Sequence, residues 1–83
     1  MGNETAVKDA HKHSFNNREE LTQSDNCGCF SCIEIFKSSE VKEWIDNGQT
    51  AHCPRCYIDA VIGDKSGYPI TEDFLTKMYK RWF

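Results

Sequence analysis

Two cysteine pairs with the same internal spacing, Cys29-Phe-Ser-Cys32 and Cys53-Pro-Arg-Cys56, are separated by the twenty residues 33–52. No other feature restricts the fold as much. Two residues between cysteines let a short loop aim both thiols at one centre, and a second such loop supplies two more. The two loops must then face each other across the molecule. Four sulfurs at about 2.3 Å close a tetrahedral zinc ion and leave no open coordination position, so the expected role is structural. The chain has 83 residues, enough for one domain with a small core. One bound Zn2+ would add its binding free energy to folding, which a chain of that size can use.

The first pair sits inside "CGCFSC", so Cys27 is a fifth thiol. Cys27 and His52 are possible substitute ligands. Cys27 would give the wider C-x4-C spacing with Cys32, and His52 is adjacent to Cys53, where two neighbours reach one ion poorly. Gly28 is expected to let the backbone turn into the first loop. The alternative use of "CPRC" is thiol–disulfide exchange, which wants its first cysteine at a helix N-terminus. A strand-like run follows Cys56, and a second pair is present to share a metal. His11 and His13 in "HKH" could bind metal weakly, but a solvated arm is expected there. Arg55 and Lys42 are read as solvated charges, able to donate to thiolates or to a partner.

The formal net charge is −3. Residues 1–26 have three basic and five acidic side chains, and residues 27–83 have seven and eight, so neither part has a basic excess. That lowers the expectation of phosphate-backbone binding. The beginning "MGNETAVKDAHKHSF" has no apolar run and no small-residue cleavage site. No stretch approaches the roughly 20 apolar residues of a membrane span. Gly2 suggests myristoylation, but Ala6 stands where that motif wants Ser or Thr. The expectation is a cytoplasmic protein with no membrane partner, where paired cysteines are reduced and hold metal.

Residues 1–13 are expected to be a flexible arm and 14–83 a single zinc-binding domain. Asn17 with Glu20 suggests a capping box opening a short helix, which Phe15 and Leu21 could pin to the body. "IEIF" (33–36) fits a short strand. "SSEVKEWIDNG" (38–48) places Val41, Trp44 and Ile45 at i, i+3, i+4 and is expected as a helix between the cysteine pairs, ended by Asn47-Gly48. "YIDAVIG" (57–63) is a strand with Ile58, Ala60 and Ile62 inward. Thr71 caps a last helix, Ile70 and Leu75 form its hydrophobic staple, and Phe74, Leu75, Met78, Tyr79 and Trp82 make its apolar stripe. Phe30, Phe36, Trp44, Phe74, Tyr79, Trp82 and Phe83 are the expected core. The fold class is small α+β: two zinc knuckles, a short sheet and a C-terminal helix.

Asp59, Asp64, Glu72 and Asp73 form no recognisable acid–base pair, and no histidine follows position 52 to build an open metal site. The expectation is therefore no enzyme. The combination of "CGCFSC", "EVKEWIDNGQTAHCPRC", "IDAVIGDKSGYPIT" and "FLTKMYKRWF" resembles a family of small bacterial cytoplasmic proteins with a zinc-ribbon-like core. The resemblance runs from about Phe15 onward and implies Cys29, Cys32, Cys53 and Cys56 as zinc ligands. Knuckles of this kind commonly have glycine after the second cysteine, and Tyr57 stands there instead. The function expected is a zinc-stabilised interaction module with a protein partner, for which a small inhibitor or immunity-type protein is one form. The alternatives are a thiol–disulfide redox protein and a nucleic-acid-binding zinc ribbon with a regulatory role. For the latter, Lys77, Lys80, Arg81 and Trp82 form a basic-aromatic tip; with the N-terminal arm, the exposed part of the last helix is also the candidate partner-binding surface.

Overall fold

The computed structural model describes residues 2–83, with side chains described from residue 6 onward. The chain runs α1 (Gly2–Ala10), a 3-10 turn (His11–Ser14), α2 (Arg18–Gln23), β1 (Asn26–Cys29), β2 (Ile35–Lys37), a 3-10 turn (Ser38–Glu40), β3 (Trp44–Ile45), β4 (Thr50–Ala51), β5 (Val61–Gly63), a 3-10 turn (Asp64–Ser66) and α3 (Glu72–Trp82). This is a small α+β fold. β1 is the centre of a three-stranded antiparallel sheet in the order β2-β1-β5, and β3 and β4 form a separate hairpin. Cys27 lies opposite Phe36 on one side and Gly63 on the other.

α3 follows its sequence signals closely. Thr71 Oγ1 accepts the Phe74 N–H at 3.2 Å, closing the first turn. Phe74, Leu75 and Met78 are buried, and side chains of this size stabilise by about 1.5–3 kcal/mol each when fully buried. Tyr79 and Phe83, expected in the core, are instead 44% and 62% exposed. Gly28 is in β1 and makes no turn. Its role is clearance: a Cβ there would stand 2.7 Å from Leu75 Cδ1 and 3.2 Å from Ile70 Cγ2. The staple pair of α3 therefore rests directly on the middle strand, one residue before Cys29.

The segment between the cysteine pairs differs from expectation. Ser38–Glu40 makes a single 3-10 turn, and Trp44 and Ile45 are strand. Asp46, Asn47 and Gly48 have φ of 53°, 61° and 82°. Asx residues and glycine tolerate that left-handed backbone, so "DNG" reverses a hairpin where it was expected to end a helix. Trp44 keeps cover from Arg18, whose guanidinium lies 5.0 Å from the ring centre. Similarly, only Val61–Gly63 of the expected 57–63 strand pairs with the sheet, and Ile58 is exposed.

Residues 2–13 of the expected flexible arm, together with Ser14, form α1 and the turn after it; Met1 lies outside the described residues. A nine-residue helix is marginal alone, so its support is tertiary. Val7 and Ala10 are buried, Trp82 Nε1 donates to the Val7 carbonyl at 3.2 Å, and the His11 ring lies 4.0 Å from the Trp82 ring. α1 thus packs on α3.

Asn17 precedes α2 but its side chain makes no cap bond. Instead it is buried, donates to the carbonyls of His13 and Val61, and accepts the Ala51 N–H. One amide thereby joins the turn before α2 to both sheets. Glu20, the other half of the expected box, pairs with His13 at 2.9 Å. Among the described residues no buried side-chain nitrogen or oxygen lacks a partner.

Asn17→Ala would strand two buried backbone groups and one part-buried one. The expected loss is on the order of 3 kcal/mol, against about 1 kcal/mol for Thr71→Ala at the helix cap. Urea unfolding of both variants checks the order; equal losses would remove Asn17 as the junction.

Candidate metal centre

Both cysteine loops have the same backbone bonds. The Cys29 N–H donates to the Glu34 carbonyl at 3.0 Å and the Ile33 N–H to the Cys29 carbonyl at 2.9 Å. The Cys53 N–H donates to the Ile58 carbonyl and the Tyr57 N–H to the Cys53 carbonyl, both at 2.9 Å. The residue after each second cysteine is left-handed, with φ of 62° at Ile33 and 64° at Tyr57. Two bulky residues thus accept the conformation that glycine takes most easily. Such strain persists only where the surroundings impose it, and the two bonds around each loop do so.

The first loop is the reversal between β1 and β2; the second connects β4 to β5. The Phe30 N–H donates to the Ala60 carbonyl at 3.0 Å, fastening one loop to the exit of the other. The result is one cluster: the sulfurs of Cys29, Cys32, Cys53 and Cys56 all lie within 4.8 Å of one another. Cys29–Cys56 and Cys32–Cys53 are each 3.6 Å apart. A tetrahedron of sulfurs around an ion at 2.3 Å has edges of about 3.8 Å, so the thiols are positioned to bind one metal ion. All five cysteines are free thiols. Backbone N–H groups of Ser31, Arg55 and Cys56 point at Cys29 or Cys53 Sγ at 3.3–3.4 Å, donors that favour the thiolate form.

Burial divides the set. Cys29 and Cys53 are fully buried, whereas Cys32 and Cys56 are half-buried. Burial pushes the Cys29 thiol well above its ordinary range, and pushes Cys32 up to about 11. At Cys56 burial acts upward too, but the Ile58 N–H and the neighbouring thiols outweigh it and the net direction is down. Without a cation the site therefore retains protons, and a divalent ion has to displace them.

The other candidates fall outside the cluster. Cys27 lies on the middle strand of the sheet and is fully buried; burial first, and the Asp64 carboxylate second, push its thiol up to about 12. His52 gives its N–H to the Glu43 carbonyl at the hairpin edge. Arg55 is not free: its guanidinium pairs with Glu40 at 2.8 Å and ties the second loop to the 3-10 turn at 38–40. Three of the four residues of the basic-aromatic tip have partners within the chain, and Lys80 is exposed. Lys77 pairs with Asp73, Arg81 lies 4.4 Å over the Trp82 ring, and Trp82 bonds Val7. His11 and His13 are likewise occupied, on Trp82 and Glu20.

No protein-family model, curated protein or solved structure matches this chain. The cluster is consistent with a zinc-ribbon-like core.

Two outcomes follow from the geometry. The purified chain should hold one metal ion, lost in Cys29→Ser and kept in Cys27→Ser; elemental analysis decides, and equal loss in both would place Cys27 in the site. The sign of the pH effect follows from the raised thiols of Cys29 and Cys32. They are protonated at neutral pH in the metal-free chain, so affinity falls as pH falls. Competition with a chromophoric chelator should show at least about a tenfold weakening per pH unit below neutrality; a flat profile would mean the ligands are not thiols that lose protons on binding.

Proposed function

We propose that the chain is a zinc-stabilised, non-enzymatic module that binds a protein partner in the cytoplasm. The four-thiol cluster supports zinc as the metal, since a tetrahedral all-sulfur set suits zinc, which has no redox chemistry of its own. Its four ligands fill the coordination sphere, so the ion would hold the fold and leave no place for substrate. Among the described residues, no helix is long and apolar enough to cross a membrane.

The single observation behind the interaction reading is the distribution of exposed apolar side chains. Phe15, Ile35, Tyr57, Ile58, Tyr79 and Phe83 are each at least 40% exposed, and aromatic residues concentrate at protein interfaces. With a net charge of −3, such a surface suits a protein better than a phosphate backbone. A small inhibitor or immunity-type protein is one form this would take.

The zinc-loaded chain, tagged and nuclease-treated, should capture a defined protein from a cell extract at moderate salt, and the chelated chain should not. Gel-shift titration should find no oligonucleotide binding at low salt; binding there that collapses steeply with salt would favour the nucleic-acid reading instead.

A further inference from the structure

Three of the six large exposed apolar side chains, Phe15, Ile58 and Phe83, line one place. A cleft of about 280 Å³ opens where the 3-10 turn at 11–14, the exit of the second cysteine loop and the end of α3 meet. Phe15, Phe30, Ile58, Trp82 and Phe83 form much of its wall. Phe83 stacks on Tyr79 at 5.6 Å and leans on Phe30 at 5.8 Å, so the rings form a continuous surface.

The polar groups in the wall narrow the occupant. The Ser14 hydroxyl already donates to the His11 carbonyl, and the Trp82 N–H is used by Val7. The His11 ring lies against Trp82 and Phe30. Asp59 is different: it lines the cleft, is exposed, and joins none of the ion pairs or side-chain hydrogen bonds among the described residues. The wall contains no lysine or arginine. A carboxylate that only accepts, in a wall made largely of aromatic and apolar side chains, suits a cation with an apolar stem. Guanidinium fits better than ammonium. It is planar, less strongly hydrated, stacks on rings and grips a carboxylate with two parallel bonds. The same molecule twice sets an arginine over a tryptophan, at Trp44 and at Trp82.

We propose that this cleft takes an arginine side chain of the protein partner, its stem on Phe15, Phe30 and Phe83 and its guanidinium on Asp59. The proposal rests on the interaction reading above and names its anchor.

The test uses the full zinc-loaded chain and capped tripeptides Gly-X-Gly, with X as arginine, lysine or citrulline, followed through the Trp82 indole and Phe83 amide resonances. The arginine peptide should shift both signals saturably. Citrulline, the same shape without charge, should bind at least about tenfold more weakly, and lysine should fall between. Asp59→Asn should weaken the arginine peptide at least about fivefold with unchanged thermal unfolding, since the side chain is exposed. Glu43→Gln, a distant exposed acid, should change nothing. Equal binding of citrulline, indifference to Asp59→Asn, or tighter occupation by an oligonucleotide would each overturn the proposal. So would capture of one protein equally by wild type and Asp59→Asn without any peptide shift, and in that case the interaction reading would survive alone.

Discussion

Everything in this fold is arranged so that two short loops can face each other. Each loop ends in a left-handed residue, Ile33 or Tyr57, and each bonds its own first cysteine twice through the backbone. The sheet is only three strands wide, too small to pay for much disorder elsewhere. A four-thiol centre joins β1 and β2 on one side to β4 and β5 on the other, where hydrophobic burial is limited. Buried Cys29 and Cys53 form its inner half, and half-buried Cys32 and Cys56 its outer half. Four thiolates so close would repel strongly without a cation, and protons or a metal must settle that repulsion. A bound metal would do so while cross-linking the chain.

Around this centre the packing is tight in specific places. Gly28, between two cysteines, admits Ile70 and Leu75 onto the sheet. Gly63 admits α2: a Cβ there would collide with Ser24 Oγ and stand 2.7 Å from Leu21 Cδ2. Ser24 in turn donates to Glu20 and accepts from Lys65. Asn17 thus holds the start of α2 to both sheets, and Ser24 holds its end to the 3-10 turn after β5, specific attachments that an apolar contact would not give.

Much of the metal site was legible because its signal is local: ligand type and spacing are both in the sequence. α3 was legible for the same reason, since Thr71, the acidic first turn and the stripe from Phe74 all act within one helix. The hairpin at 44–51 was not. Val41, Trp44 and Ile45 fit helical spacing, yet "DNG" can equally end a helix or reverse a hairpin, and long-range packing decided between them. α1 was missed because its support comes from Trp82, far away in sequence. The local pattern at Asn17 points to a cap, because capping is local, while its partners Val61 and Ala51 are 44 and 34 residues distant. Gly28 was read as a turn for the same reason; the neighbour that requires it belongs to another element. The aromatic cleft has no sequence signature, since its wall is gathered from four separated segments.

The central expectation is a single ion held by four sulfurs. X-ray absorption at the metal edge of the purified chain measures this directly. It should report zinc with four sulfur neighbours at about 2.3 Å and no nitrogen or oxygen in the first shell. A shell of three sulfurs with one lighter atom would contradict it, since that would bring in a histidine or water and open the site that the fold is described as closing.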